Sequence, residues 1–429
     1  MIFAQSDEIM KVLIKKAHIS SPSSPFHGQV KDILISSGKI EKISDHISEK
    51  ADRVIERTNM HAGIGWMDIF AGFADPGYEH KETIETGCAA AAAGGFTDIM
   101  LIPNTNPTVS SKSQVEYIIQ KAASSPVNVY PIASITKNAE GKELSEMYDM
   151  HASGALAFTD GTESIQSPGV LLKALQYVLA IDSTIIQLPD DKSISRSGLM
   201  NEGIASTQLG LPGKPAIAEE LMIARDIELL RYTNSRLHIT GVSTKKGIEL
   251  IKKAKQDGLK LTCSATPYHC WFCDEDLASY DTNLKVNPPL RTRADMEAVR
   301  KAAEDGTIDC IASHHIPQHW DDKTCEFEYA KNGMIGLETL FAAMNSLNMN
   351  PDRLIDQLSI APRKIFGLAI PVIKEGADAC ISLFDPSAEY IFTESMIRSR
   401  SHNSPFTGKK LKGKVIGIIH KNKTVINDQ

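Results

Sequence analysis

His269, Cys270 and Cys273 form a His-Cys-x-x-Cys string, a spacing that can supply part of a tetrahedral zinc site, with His314, His315 or His319 as the remaining donor. A second Cys-x-x-Cys pair is missing, so the preferred reading is a set of packed thiols in a strand-to-loop segment. His314 and His315 are adjacent, which on a strand sends one ring into a barrel and the other toward its helices. Glu79-His80-Lys81-Glu82 offers acid–base groups but reads as a charge cluster in the first turn of a helix. Asp190, Ser195 and Ser197 have no histidine at a triad spacing. The alanine run 89–93 before Gly94-Gly95 reads as a packed helix with a glycine cap, since it lacks the Lys-Ser/Thr of a phosphate loop.

What such groups can do depends on the elements that carry them. From Gly65 onward the pattern alternates strands with helices of period 3.6, which builds a parallel sheet through crossovers. Eight strands are predicted, at 65–73, 96–104, 128–134, 155–160, 184–188, 236–242, 260–266 and 309–314. Between them, Val115, Ile118, Ile119 and Ala122 share one helical face, and Ile248, Ile251 and Ala254 share another. Eight such strands in about 250 residues predict an α/β fold of the (β/α)8 TIM-barrel type, with a doubly wound open sheet as the alternative. Short β segments at 11–57 and again at 377–421 predict a small β-sandwich built from both termini. The expected division is 1–63 and 369–429 for the sandwich and 64–368 for the barrel.

Composition narrows the class. Of 429 residues 42% are hydrophobic and 23% charged, which excludes disordered, collagenous and disulfide-scaffold proteins. A formal charge of −7 with no block of like charges argues against nucleic acid or a membrane surface as partner. Seven scattered cysteines suit reduced thiols, the opening MIFAQSDEIM lacks the basic flank of a signal peptide, and no 18-residue apolar span exists. A cytoplasmic protein is expected.

The string ADPGYEHKETIETGCAAAAAGGFTDIMLIPNTNP (74–107) resembles the dihydroorotase branch of the amidohydrolase superfamily. So do GALAFTDG (154–161), GLMNEG (198–203), LHITGVST (237–244), NLKVNPPLR (283–291), GMIGLETLF (333–341) and HNSPFTGKKLKGKV (402–415). The resemblance spans about residues 11–425. It implies a barrel with a sandwich, a zinc centre at the barrel mouth, and reversible closure of carbamoyl aspartate to dihydroorotate in pyrimidine synthesis.

At the motif positions the sequence departs from that family. The family's Asp-x-His-x-His-x-Arg-x-Pro-Gly is Asp68 to Gly77 here, with Phe70 and Gly72 at the histidines and Ala74 at the arginine that grips the substrate carboxylate. Leu188 and Gly241 stand at two further histidine positions, His314 stands at the metal-binding aspartate, and Gln318 replaces a histidine of the carboxylate clamp. Asp160 alone keeps a carboxylate where a ligand is expected. Catalytic zinc needs about three protein ligands, and returning its water from pKa about 7 up to the value of bulk water forfeits on the order of 12 kcal/mol of activation.

The vestigial metal positions are therefore Phe70, Gly72, Asp160, Leu188, Gly241 and His314, with no intact catalytic residue beyond the vestigial His314 and no cofactor predicted where the family uses zinc. Asn104 and Asn287 match substrate-touching positions, although both sit beside prolines where a structural role suffices. The leading expectation is a noncatalytic dihydroorotase-like scaffold, a homo-oligomer able to partner an aspartate transcarbamoylase-type protein through an apolar mouth lined by Phe70 and Leu188. The alternative is an active dihydroorotase or other cyclic amidohydrolase with a rebuilt metal site. A third expectation is a ligand sensor that keeps Asn104 and Asn287.

Overall fold

The computed structural model describes residues 11–427, so the reading of the first ten residues lies outside the described part. All eight expected barrel strands form: Trp66–Ala71, Phe96–Leu101, Asn128–Ala133, Ala157–Phe158, Ile185–Gln187, Leu237–Ile239, Leu261–Ala265 and Cys310–Ile311. They lie side by side in chain order, each parallel to the next, which rules out the doubly wound sheet because that fold reverses strand order in its middle. Side chain and main chain together close the ring. Ser313 donates its amide and hydroxyl to Asp68 at 2.6 and 2.8 Å, and Gly72 donates its amide to the His315 carbonyl at 2.8 Å. The last strand is only two residues long, so the buried Asp68 carboxylate supplies the seam that ladder bonds would otherwise make. The ring is a TIM barrel.

Helices pack on the outside with their apolar stripes inward. Lys112–Ala122 buries Val115, Ile118 and Ala122, but Ile119 lies on the exposed flank at 37%. Lys245–Gln256 buries Ile248, Ile251 and Ala254 as its period requires. The alanine-rich helix is Ile84–Ala93, capped by Thr83. Two expectations shift here. Gly94 stays right-handed and Gly95 takes the left-handed turn, while the Glu79–Glu82 cluster precedes the helix instead of forming its first turn.

The second sheet carries Lys11–Ile19, Val30–Ser36, Lys39–Ser44, Arg53–Glu56 and His61–Ile64 from one end of the chain and Cys380–Ile391, Lys410–His420 and Lys423–Ile426 from the other. His61–Ile64, a strand the sequence pattern did not suggest, joins the halves by pairing antiparallel with Cys380–Ile391. No described helix is long and apolar enough to cross a membrane.

Candidate active site at the barrel mouth

The strand ends form two layers of opposite character. The inner layer is a plug. Phe70 stacks on His314 with ring centroids 4.4 Å apart, and Leu188 and Pro288 close around Gly241. A Cβ on Gly241 would stand 2.8 Å from His314 Cε1 and 3.1 Å from Leu188 Cδ1, at a φ of +69° that only glycine adopts cheaply. Phe70 and Leu188 are each 1% exposed, so the expected apolar mouth for a partner does not exist; the two side chains are spent on this plug.

The donors that remain face elsewhere. His314 Nε2 lies 2.7 Å from Thr240 Oγ1, at the end of a buried chain in which Thr240 meets Ser264 at 2.9 Å and Ser264 meets His238 Nε2 at 3.0 Å. Burial pulls both imidazoles down to about 3, so they are neutral at ordinary pH. Asp160 accepts the amide and hydroxyl of Thr136 at 2.9 and 2.5 Å, and burial lifts its carboxyl to about 6. Asn104 donates to the Asp160 carbonyl at 3.1 Å and accepts from the Thr162 amide at 3.0 Å, which makes it a clamp between loops. Among the described residues no three His, Cys, Asp or Glu side chains converge on a point that could hold a metal ion. Zinc of the kind the resemblance implies does not fit these residues, since a benzyl ring fills the position beside His314.

His269 is also committed, with Nδ1 2.9 Å from Thr266 Oγ1 and Nε2 3.1 Å from the Pro288 carbonyl oxygen, while Cys270 and Cys273 are buried thiols in the packing. His315 turns outward toward Glu82 at 3.4 Å. Glu82 is not the surface charge its sequence neighbourhood suggested. It is fully buried and also accepts from Thr86, Ser399 and the Arg400 amide; burial pushes its carboxyl up, but His315 and then the Ser399 and Thr86 hydroxyls hold its pKa below the usual glutamate value.

Above the plug lies the outer layer, a cleft of about 450 Å³ over the ends of the fourth, fifth, seventh and eighth strands. Lys214 spans it, donating to Asp190 Oδ2 at 2.7 Å and to Asn287 Oδ1 at 2.5 Å. Ser195 donates to the other Asp190 oxygen at 2.6 Å. Gln318, at the cleft wall, accepts from Lys81 at 2.8 Å and donates to the Asn332 carbonyl at 2.7 Å. Asn287 thus lines the cleft whereas Asn104 is turned into loop bonding. Lys214 was not foreseen; its only local signal is a lysine in the Pro-Gly-Lys-Pro turn at 212–215, a place where solvent exposure is the ordinary outcome.

A family model described as Dihydro-orotase-like matches residues 64–247. The chain is 39% identical over 416 residues to the dihydroorotase of Syntrophus aciditrophicus (strain SB), spanning 95% of this chain and 97% of the relative. It is 40% identical over 410 residues to the dihydroorotase of Ruminiclostridium cellulolyticum, spanning 94% and 96%. The L-hydantoinase (dihydropyrimidinase) of Arthrobacter aurescens superposes with a TM-score of 0.83 at 24% identity over 97% of this chain and 96% of that one, a likeness of fold. This near full-length identity to dihydroorotases overturns the expectation of a noncatalytic scaffold. That expectation weighed a handful of strand-end donors above the hundreds of positions that shape barrel, cleft and sandwich. By that sustained identity the chain belongs to the dihydroorotase family.

Proposed function

We propose that this protein interconverts carbamoyl aspartate and dihydroorotate: the ureido nitrogen joins the side-chain carboxyl carbon with loss of water, and water reopens the ring. The observation that carries this reading is 36–40% identity over 94–98% of the chain to eight proteins named dihydroorotase. The polar cleft supports it, because the strand ends of such barrels are where catalytic groups project. Holding the ureido and carboxyl ends of one molecule in reacting geometry can remove several kcal/mol of barrier. The groups available to do so are the Lys214 ammonium, the Asp190 carboxylate and the Asn287 amide. No step runs through zinc, since among the described residues no three donor side chains converge to hold it.

The test is turnover by the purified full-length protein in both directions, with and without prior chelator treatment. Ring closure and ring opening that both survive chelation are expected. Absence of turnover in either direction, with the protein folded, overturns the reading.

A further inference from the structure

We propose that a cavity of about 390 Å³, separate from the cleft and set between the second sheet and the helices Leu340–Ser346 and Pro351–Ile365, binds a flat organic cation of the aryl amidine or aryl amine class. The inference goes beyond the proposed function and does not rest on it, since no residue lines both the cavity and the cleft.

One wall of the cavity is a row of rings. His18 lies opposite His61 on neighbouring parallel strands, and His61 lies opposite Phe384 on the next strand. The three rings therefore share one face of the sheet, with successive centroids 4.5 and 5.4 Å apart, and Phe341 continues the row 5.1 Å from Phe384. Such a wall suits a flat ligand, and the faces of its phenyl rings attract a cation.

The row also holds an unused acceptor. Ser20 Oγ lies 3.2 Å from His18 Nδ1 and 2.7 Å from His61 Nδ1. One hydroxyl has one hydrogen to give, so with both rings neutral at least one of them donates its Nδ1 proton to Ser20 and keeps a bare lone pair on Nε2. Neither Nε2 has a hydrogen-bond partner among the described residues. Burial pulls His61 down to about 4, so that ring is neutral at ordinary pH.

Charge decides the sign of the ligand. Among the described residues no lysine or arginine lines the cavity, and Asp352, which does, has no ion-pair partner. Asp385 adds a second carboxylate near His61, and His27 stands at the exposed rim. The start of the helix Pro351–Ile365 offers an anion nothing. Pro351 has no N–H, Asn350 Oδ1 accepts the Asp352 and Arg353 amides at 3.0 and 3.2 Å, and the Asn350 carbonyl accepts the Leu354 amide at 3.0 Å. A cation with N–H donors meets ring faces, a lone pair and a carboxylate in one place.

The test titrates three probes of one shape, benzamidine, benzamide and benzoate, into the full-length protein by calorimetry. Benzamidine is expected to bind at least about fivefold more tightly than benzamide, the worth of a cation against a ring face, and benzoate more weakly than either. Asp352→Asn, at an exposed position, should narrow the benzamidine-to-benzamide ratio several-fold. His18→Phe paired with His61→Phe, which keeps the rings and removes their nitrogens, should weaken benzamidine binding. A crystal soaked with benzamidine should show its ring against His61 and Phe384. No binding of benzamidine at millimolar concentration, benzoate bound as tightly as benzamidine, a ratio unchanged in folded Asp352→Asn protein, affinity unchanged in the folded double variant, or benzamidine density only elsewhere overturns the site.

Discussion

The two layers of the barrel mouth come within two residues of each other along the chain, at Leu188 in the plug and Asp190 in the cleft, yet they obey opposite rules. In the plug, Phe70, Leu188, Gly241 and His314 fill space, and His314 Nε2 is matched inside the protein by Thr240. In the cleft, Lys214 and Asp190 are buried ions that keep a face toward open volume. The first arrangement contributes packing and excludes water. The second keeps charge available to a ligand at a cost in desolvation. Proximity to strand ends is therefore not enough to make a group functional; what matters is whether its remaining valence points into packed protein or into the cleft.

The sharpest way to break this contrast is to empty the plug. Phe70→Ala should cost about 3–5 kcal/mol of stability, read as a shift of the denaturation midpoint, because it leaves a cavity beside His314. Dihydroorotate binding in the cleft should not change; a changed affinity would mean the layers are coupled. Filling the plug tests it from the other side. Gly241→Val should cost about 3 kcal/mol, from a left-handed backbone and from the 2.8 Å approach to His314, and unfolding in urea measures it.

Acid probes the same buried layer. His238, His269 and His314 are held at about 3 against 6.5 when unfolded, so the unfolded chain takes up protons that the fold refuses, and stability falls as pH falls below 6.5. At pH 5 this amounts to about 2 kcal/mol per histidine. Asp160 and Asp226, raised from 3.8 to about 6, act in the opposite sense, since the fold takes their protons first and gains on the order of 1 kcal/mol each at pH 5. The three histidines outweigh the two carboxylates, and thermal melts should show lower stability at pH 5 than at pH 7. A protein equally stable at both would place those rings nearer solvent.

Smaller effects separate clamp from ligand group. Asn104→Ala should cost about 1–2 kcal/mol in chemical unfolding by orphaning the Thr162 amide and the Asp160 carbonyl, with dihydroorotate affinity nearly unchanged. Arg196→Ala, on an exposed turn at the cleft wall, should change stability by less than about 0.5 kcal/mol while weakening dihydroorotate binding.

Much of the fold could be read from the chain alone. Each barrel strand was marked by a run of β-formers between turn residues and an amphipathic helix, signals that sit within about 20 residues. The exception in the sandwich, His61–Ile64, is four residues with a glycine inside, too short to show a period of two. At the mouth, the chain itself shows Phe70, Gly72, Leu188 and Gly241, none of which has a side chain that donates to a metal. They could not tell that the ring of Phe70 would lie on His314, nor what the rest of the chain still does.

Residue type and local period thus determined the elements and their order, because a strand or helix is specified by neighbours in sequence. Partnership was decided only by the folded barrel. Lys214 meets Asp190 across 24 positions and Asn287 across 73, and Glu82 meets Ser399 across 317. Nothing in a linear spacing encodes such meetings. They arise because closing the ring brings the strand-end loops over one opening, where burial turns ordinary surface ions into paired or ligand-facing ones.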